Sequence, residues 1–193
     1  MEIRILQEAE LANAAGLSRY VFDVCLRNRM EFMQTIGFVE DYLKVENLAG
    51  LCRENKLTVW GVYEQTQLVG VAGLQSDGMI TMLYVLPQCT RRGYGGKLVE
   101  TMRKYGKEVY GMPCIMVNAT PAWTSTYFVK NGFAYQVKQQ NMHVPYVTMQ
   151  SLPEEENLFQ KRHVPAKVMV GAGLGCLLLA TVACIAYLIV YLM

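Results

Sequence analysis

The length, composition and charge of the chain restrict the class of protein to which it can belong. The chain has 193 residues, 52% of them hydrophobic, and a formal net charge of +2. This length favours one compact domain with additional segments, and so small a charge gives no support to a nucleic-acid-binding protein.

The first part of the chain predicts one strand, two helical stretches and a pair of strands. Alternating apolar and polar residues at 3–6 predict a strand, and apolar residues at helical spacing predict a helix over about 8–29. A second helix is predicted over about 39–54. Strands at 57–64 and 68–74 follow, and the short connection between them indicates a hairpin.

The second part of the chain predicts strands that alternate with helices. The predicted elements are a strand at 79–87, a helix at 95–109, a strand at 113–118, a helix at 123–131 and a closing hairpin of 133–139 with 144–150. This order indicates a mixed α/β domain with a central run of antiparallel strands and one β–α–β crossover. We assign the domain to residues 1–150.

Residues 168–193 form an apolar run without a charged residue. At 1.5 Å per residue the run would make a helix of about 39 Å, and the hydrocarbon core of a bilayer is about 30 Å thick. It therefore predicts a single transmembrane helix, joined to the domain by a linker at 151–167. Because Lys161, Arg162 and Lys167 precede the run, the positive-inside rule places the N-terminal domain in the cytosol.

Two glycines within this run, Gly171 and Gly175, form a GxxxG pair. Such pairs provide the dimer face of other membrane helices, so a homodimer is one interpretation and chance spacing is the other. The sequence also leaves open whether the protein belongs to a bacterial inner membrane or is a eukaryotic tail-anchored protein.

The cysteines and histidines do not form a recognisable ligand pattern. There are six cysteines and two histidines, and no two cysteines form a CxxC pair. Cys176 and Cys184 lie within the apolar run. We therefore expect reduced thiols rather than a disulfide framework, and no metal site.

The stretch YVLPQCTRRGYGGKLVE, at residues 84–100, passes from a strand through a proline into three glycines and then into a helical pattern. A glycine-rich loop costs conformational entropy, and an anion held against the backbone is the usual compensation. The stretch fits neither the P-loop pattern nor the dinucleotide-binding fingerprint. The N–H groups of Gly93, Gly95 and Gly96 would instead converge on a pyrophosphate at the positive end of the helix. Positive charge around the same anion would come from Arg91, Arg92 and Lys97.

This stretch resembles the corresponding loop of the GNAT acetyltransferase superfamily. Pro87, Gly93, Gly95 and Leu98 stand at the family's spacing, whereas Thr90 replaces its usual Gln or Arg. A second stretch, VNATPAWTSTYFVKNGF, resembles the family's next strand–helix–strand element. The resemblance covers the whole predicted domain and implies a GNAT-like, mostly antiparallel mixed sheet flanked by helices.

The resemblance implies that acetyl-CoA, the co-substrate, lies in a cleft between two strands that splay apart. Its pantetheine chain would pair with backbone groups of Leu83 and Val85, and a backbone N–H near Leu83 would polarise the thioester carbonyl. The implied cofactor-binding residues are Leu83, Tyr84, Val85, Thr90, Arg91, Arg92, Gly93, Tyr94, Gly95, Gly96, Lys97, Asn118 and Tyr127.

The resemblance also implies that an amine attacks the thioester directly, with Tyr127 as the general acid that protonates the leaving thiolate. Asn118 would orient the amide of the cofactor. Alignment on Gly132 and Phe133 instead puts Phe128 at the position of the usual tyrosine. The sequence therefore leaves two alignments open.

The acceptor is an amine that the sequence does not identify, because acceptor loops vary within one fold. Glu31 and Glu40 are candidate bases for this amine. The alternatives are that both are ordinary surface charges and that a water chain to bulk solvent takes the proton. Two functions stay open: a membrane-tethered N-acetyltransferase, or a non-catalytic acyl-CoA-binding or scaffold module. Thr90 and Phe128 are the residues that favour the second.

Overall fold

A computed structural model of the chain describes residues 1–30, 33–136 and 146–152. The fold lies within a unit of Met1–Pro153. Outside the described residues lie Glu31, most of the predicted linker and the predicted membrane helix at 168–193. Within the part that is described, no helix is both long enough and apolar enough to cross a bilayer.

The described strands form one mixed sheet. They are β1 (Glu2–Ile5), β2 (Leu57–Glu64), β3 (Gln67–Gln75), β4 (Met79–Val85), β5 (Met116–Ala119), β6 (Phe133–Tyr135) and β7 (Val147–Ser151). Their order is β1-β2-β3-β4-β5-β7-β6, in which β4 and β5 run parallel and the other described neighbours run antiparallel. The predicted succession of strands along the chain and the single crossover are confirmed, and residues 137–145, within the predicted closing hairpin, lie outside the described residues.

Five α-helices are described, and they flank this sheet. They are α1 (Leu11–Val21), α2 (Met33–Tyr42), α3 (Val45–Arg53), α4 (Tyr94–Glu108) and α5 (Ser125–Lys130). The helix predicted over 8–29 is less regular than expected. It begins and ends in 3₁₀ turns, and α1 passes into a π-helical turn at Phe22–Leu26.

The prediction of one helix over 39–54 is wrong, because the chain forms α2 and α3 there. Lys44, between them, has an extended backbone with φ −66° and ψ 139°, which interrupts the helical hydrogen bonds. The break lets Leu43 and Leu48, 2% and 0% exposed, enter the same core from two directions. The strand predicted at 113–118 is also shorter, because β5 begins at Met116.

Neighbouring side chains of β2 fill two cores, because successive residues of a strand point to opposite faces of the sheet. Val59 packs in one core with Leu11 of α1 and Leu48 of α3. Trp60 packs in the other core with Leu98 of α4. Helices before and after the central strands therefore cover opposite faces of the sheet.

The parallel pair β4–β5 is short, and the two strands diverge. In the described strands their pairing consists of Met79 with Met116 and Ile80 with Val117. Further along, β4 stays paired with β3 as far as Val85, while β5 pairs with β7. The sheet therefore opens between the C-terminal ends of β4 and β5.

Candidate active site

A cleft of about 1230 Å³ occupies the opening between β4 and β5. Its walls come from the ends of both strands, the loop before α4, the α1–α2 region and α5. The predicted cofactor-binding residues that line it are Leu83, Tyr84, Val85, Thr90, Arg91, Gly93, Tyr94, Gly95, Gly96, Asn118 and Tyr127. The fold thus brings together every predicted residue of this set except Arg92 and Lys97.

The backbone of β4 offers free hydrogen-bonding groups to the cleft. Leu86 N donates to Val69 O across the β3–β4 ladder at 2.9 Å. In an antiparallel ladder such bonded positions alternate with positions whose backbone groups point away from the partner strand. The register pairs Leu83 with Ala72 and Val85 with Gly70, so the N–H and C=O groups of Leu83 and Val85 point away from β3.

The glycine-rich loop places the start of α4 at the cleft. Arg91 and Gly93 adopt left-handed backbone angles, φ 62° and φ 87°, which turn the chain sharply into the helix. Lys97 N donates to Gly93 O at 3.1 Å in the first turn. The preceding N–H groups, including those of Gly95 and Gly96, have no intrahelical acceptor and present the positive end of the helix to an anion.

The positively charged and hydroxyl side chains of this loop point in different directions. Arg91 lines the cleft, whereas Arg92 pairs with Glu64 of β2 at 3.1 Å and lies outside it. Lys97 is exposed on α4 and is also outside the cleft lining. Thr90 Oγ1 donates to Pro87 O at 2.9 Å, so this hydroxyl stabilises the turn that precedes the glycines.

The structure distinguishes Tyr127 from Phe128, which the sequence could not do. Phe128 also borders the cleft, but it is 7% exposed and its ring packs edge to face against Phe133 in the core, with ring centroids 5.4 Å apart. Tyr127 instead lies against the first turn of α4. A Cβ atom placed on Gly95 would be only 2.5 Å from Tyr127 Oη. Of the two aligned residues, Tyr127 is therefore the one whose side chain reaches the glycine loop, and Gly95 leaves room for its hydroxyl.

The Tyr127 hydroxyl is a buried polar group without a hydrogen-bond partner among the described residues. Burial raises the pKa of Tyr127 to about 12. The desolvated phenol therefore stays protonated at neutral pH and is a hydrogen-bond and proton donor rather than a base. An unsatisfied buried hydroxyl is costly, and a ligand acceptor in the cleft would remove that cost.

Asn118 lies on β5 at the opposite wall of the cleft. Its Oδ1 atom accepts a hydrogen bond of 2.9 Å from Thr148 Oγ1 of the adjacent strand β7. Since Oδ1 is engaged, the Nδ2 group is the donor that this side chain can offer to a ligand. The side-chain bond between strands thereby restrains the Asn118 amide at the cleft wall.

The cleft is also lined by residues that the sequence did not reveal. Phe38 and Tyr42 of α2 and Trp123 line it, and the Tyr42 hydroxyl donates to Thr81 Oγ1 of β4 at 2.7 Å. No local pattern distinguishes these residues from ordinary core positions. The candidate base Glu40 does not line the cleft, because its carboxylate pairs with Arg27.

The cysteines of the described ranges are free thiols, namely Cys25, Cys52, Cys89 and Cys114. Within the same ranges, no cluster of three or more His, Cys, Asp or Glu side chains could hold a metal ion.

The model of a known family, the acetyltransferase (GNAT) domain, matches residues 30–152. This match spans more than half of the sequence, and the chain therefore belongs to the GNAT acetyltransferase family. A search of curated protein sequences found no significant match.

Solved structures share the fold at low sequence identity. A GCN5-related N-acetyltransferase from Rhodopseudomonas palustris is 19% identical, with a TM-score of 0.63 over 78% of this chain and 94% of that one. PaiA N-acetyltransferase from Thermoplasma acidophilum, in complex with coenzyme A, is 17% identical. Its TM-score is 0.61, and the match covers 78% of this chain and 99% of that one. A chimera of spermidine N-acetyltransferase SpeG from Vibrio cholerae is 16% identical. Its TM-score is 0.54, and the match covers 78% of this chain and 94% of that one.

These comparisons confirm the GNAT-like fold and the class of enzyme that the sequence implied. The chain is an acyltransferase, its fold supports acetyl transfer to amines, and acetyl-CoA is supported as its co-substrate. The membrane helix at 168–193 stays a prediction.

The close approach of Gly95 and Tyr127 predicts a coupled effect on stability. We expect Gly95→Ala to lower the free energy of unfolding by about 1–3 kcal/mol, because the added methyl group meets Tyr127 Oη. In a Tyr127→Phe background the loss should shrink, because the nearest atom is gone. Urea denaturation of the two single variants and the double variant measures this coupling.

Gly50→Ala provides the matched control for this prediction. Gly50 lies in α3, and a Cβ atom there would meet no atom within 4 Å. We therefore expect this alanine to be neutral or to stabilise the helix by up to about 1 kcal/mol. If Gly95→Ala lowers the free energy of unfolding equally in the wild-type and Tyr127→Phe backgrounds, the placement of Tyr127 is contradicted.

Proposed function

We propose that the chain is an N-acetyltransferase that moves the acetyl group of acetyl-CoA directly to a primary amine. The observation that carries this proposal is the position of Tyr127, whose buried, protonated phenol lies beside Gly95 where α4 enters the cleft. A donor at this point lies near a cofactor held by the helix N-terminus and the open strand.

The described residues offer binding groups for the pyrophosphate and for the pantetheine arm of the cofactor. The first N–H groups of α4 and the Arg91 guanidinium favour a pyrophosphate. The outward backbone groups of Leu83 and Val85 would pair with the pantetheine amides as an added strand does. Asn118 Nδ2 would donate to a carbonyl of the same arm from the opposite wall.

The chemistry is a direct displacement at the thioester carbonyl. The neutral amine forms a C–N bond, the Leu83 N–H stabilises the developing oxyanion, and the C–S bond then breaks. The thiolate takes the phenolic proton of Tyr127, and the proton lost by the amine restores the phenol through solvent. The products are an N-acetyl amine and the free thiol of coenzyme A, so no covalent enzyme intermediate is required.

We further propose that residues 1–150 form the catalytic domain, 151–167 a linker and 168–193 a transmembrane anchor. The support is the uncharged apolar run together with the basic residues Lys161, Arg162 and Lys167 before it. This arrangement holds the catalytic domain on the cytosolic side of the bilayer. A homodimer through Gly171 and Gly175 is compatible with it.

Tyr127→Phe tests the proposed acid. We expect kcat for thiol release to fall by about 10²-fold or more, since general acid catalysis contributes about 10²–10⁴-fold. The KM for acetyl-CoA should change little. Tyr20→Phe is the matched control, because Tyr20 is 51% exposed on α1 and lies outside the cleft. An unchanged kcat in Tyr127→Phe would remove Tyr127 from the reaction.

The raised pKa of Tyr127 also predicts the pH dependence of the reaction. Because the proton donor is the neutral phenol, its contribution is present below about pH 12 and is lost as the pH rises through that value. At about pH 10, roughly 99% of the phenol is still protonated. We expect kcat to show no falling basic limb between about pH 7 and about pH 10. A decline in that range that Tyr127→Phe abolishes would contradict the burial of the phenol.

The anchor is tested by comparing the full chain with a version that stops after Leu152. We expect the full chain to stay in the membrane pellet after extraction with alkaline carbonate, and the shortened chain to be released. Protease added to inside-out vesicles should digest the catalytic domain, whereas protease added to right-side-out vesicles should leave it intact. Release of the full chain by carbonate would overturn the anchor without affecting the proposed chemistry.

A further inference from the structure

One face of α2 forms an apolar wall at the acceptor end of the cleft. Its residues Thr35, Phe38, Val39 and Tyr42 all line the cleft, and their spacing places them on one side of a helix. Ile36 of α2 and Leu43, directly after its end, are buried in the core, and Val39 and Tyr42 pack partly against the same core. The helix is thus anchored to the core, and Phe38 is the most exposed member of the face that lines the cleft.

Phe38 is the most unusual member of this wall. Its side chain is 70% exposed, although a phenylalanine normally gains about 1.5–3 kcal/mol from burial. The ring stacks on Tyr42, with centroids 6.3 Å apart and an interplanar angle of 25°. The Tyr42 hydroxyl is in turn held by Thr81 of β4. The two rings therefore form a surface that is ready to take an apolar group.

This wall lies close to the proposed reaction centre. Thr81 and Leu83 are two residues apart on β4, which is about 7 Å along a strand. The Leu83 N–H is the group that would polarise the thioester carbonyl. An amine joined to an aromatic or aliphatic body by a short linker could place its nitrogen at the carbonyl while its body packs on Phe38 and Tyr42.

The charges near this end of the cleft do not favour a polycation. Each described carboxylate in this region is held by another group: Asp23 and Glu40 by Arg27, Asp41 by Lys44, and Asp77 by the N–H of Met79. The described lining contains no Asp, Glu or His side chain. The charged side chain in the described lining is Arg91, and Arg29 lies 5.5 Å from the ring centroid of Trp123.

We infer that the acceptor is a primary amine carried on an apolar or aromatic body, bound with that body against Phe38 and Tyr42. This inference rests on the proposed acetyl transfer. A polyamine or an amino sugar would leave charges or hydroxyls unpaired against this wall, which costs binding free energy. An apolar body instead covers the exposed Phe38 ring.

The test measures thiol release by the full chain with acetyl-CoA and four amines. These are 2-phenylethylamine, hexylamine, spermidine and glucosamine. We expect kcat/KM for 2-phenylethylamine and hexylamine to exceed that for spermidine and glucosamine by at least about tenfold. The ratio between the first two amines tells whether the wall prefers an aromatic or an aliphatic body.

Two variants connect this preference to the wall. Phe38→Ala should lower kcat/KM for 2-phenylethylamine by about tenfold and leave the KM for acetyl-CoA unchanged. Val24→Ala is the matched control, because Val24 is also a largely exposed apolar residue but lies outside the cleft. Thr35→Glu should shift the preference toward spermidine, because it adds a carboxylate to the same wall.

The outcomes separate the two proposals. A preference for spermidine or glucosamine, with thiol released, would overturn the apolar acceptor and leave acetyl transfer in place. If Phe38→Ala lowers kcat/KM equally for all four amines, Phe38 does not recognise the acceptor. That result would also overturn the apolar acceptor. Thiol release with none of the amines, although acetyl-CoA binds, would overturn the proposed acetyl transfer and the acceptor inference together.

Discussion

The candidate active site depends on the divergence of β4 and β5. Parallel strands normally continue to share hydrogen bonds, but here the described pairing ends after Ile80 and Val117. Because β4 stays bound to β3 and β5 stays bound to β7, the separation is imposed by two intact ladders and does not require a disordered strand. It leaves the backbone groups of Leu83 and Val85 facing a cleft. The same opening admits the first turn of α4 and the side chains of α5.

A second constraint operates between α4 and α5. Phe128 is fixed in the core by Phe133, and this contact directs the preceding Tyr127 toward the glycine loop. The loop accepts the ring only because Gly95 has no side chain. The glycine at this position therefore has two physical roles, since it also lets the backbone approach an anion. The burial that raises the pKa of Tyr127 is a consequence of the same fit.

The sequence predicted the features that depend on local backbone and order along the chain. The glycine loop, the strand order and the crossover follow from spacing that is visible within a short window. It could not place Arg92, because the partner Glu64 comes from a strand far away in the sequence. It could not choose between Tyr127 and Phe128, since the choice depends on a core contact. The wall around Phe38 was missed because the predicted helix began at about residue 39, whereas α2 begins at Met33, and because no local pattern distinguishes these residues from core positions.

The apolar wall bears on the question of the base that deprotonates the amine. Attack needs the neutral amine, yet an alkylamine is mostly protonated in water near neutral pH. Passage over a wall of aromatic and aliphatic side chains would desolvate the entering amine and lower its pKa, so the neutral form would bind in preference to the ammonium ion. A carboxylate beside the nitrogen would do the opposite and hold the proton. An acceptor end whose described carboxylates are paired elsewhere therefore suits a mechanism in which solvent takes the proton before the acceptor packs against Phe38.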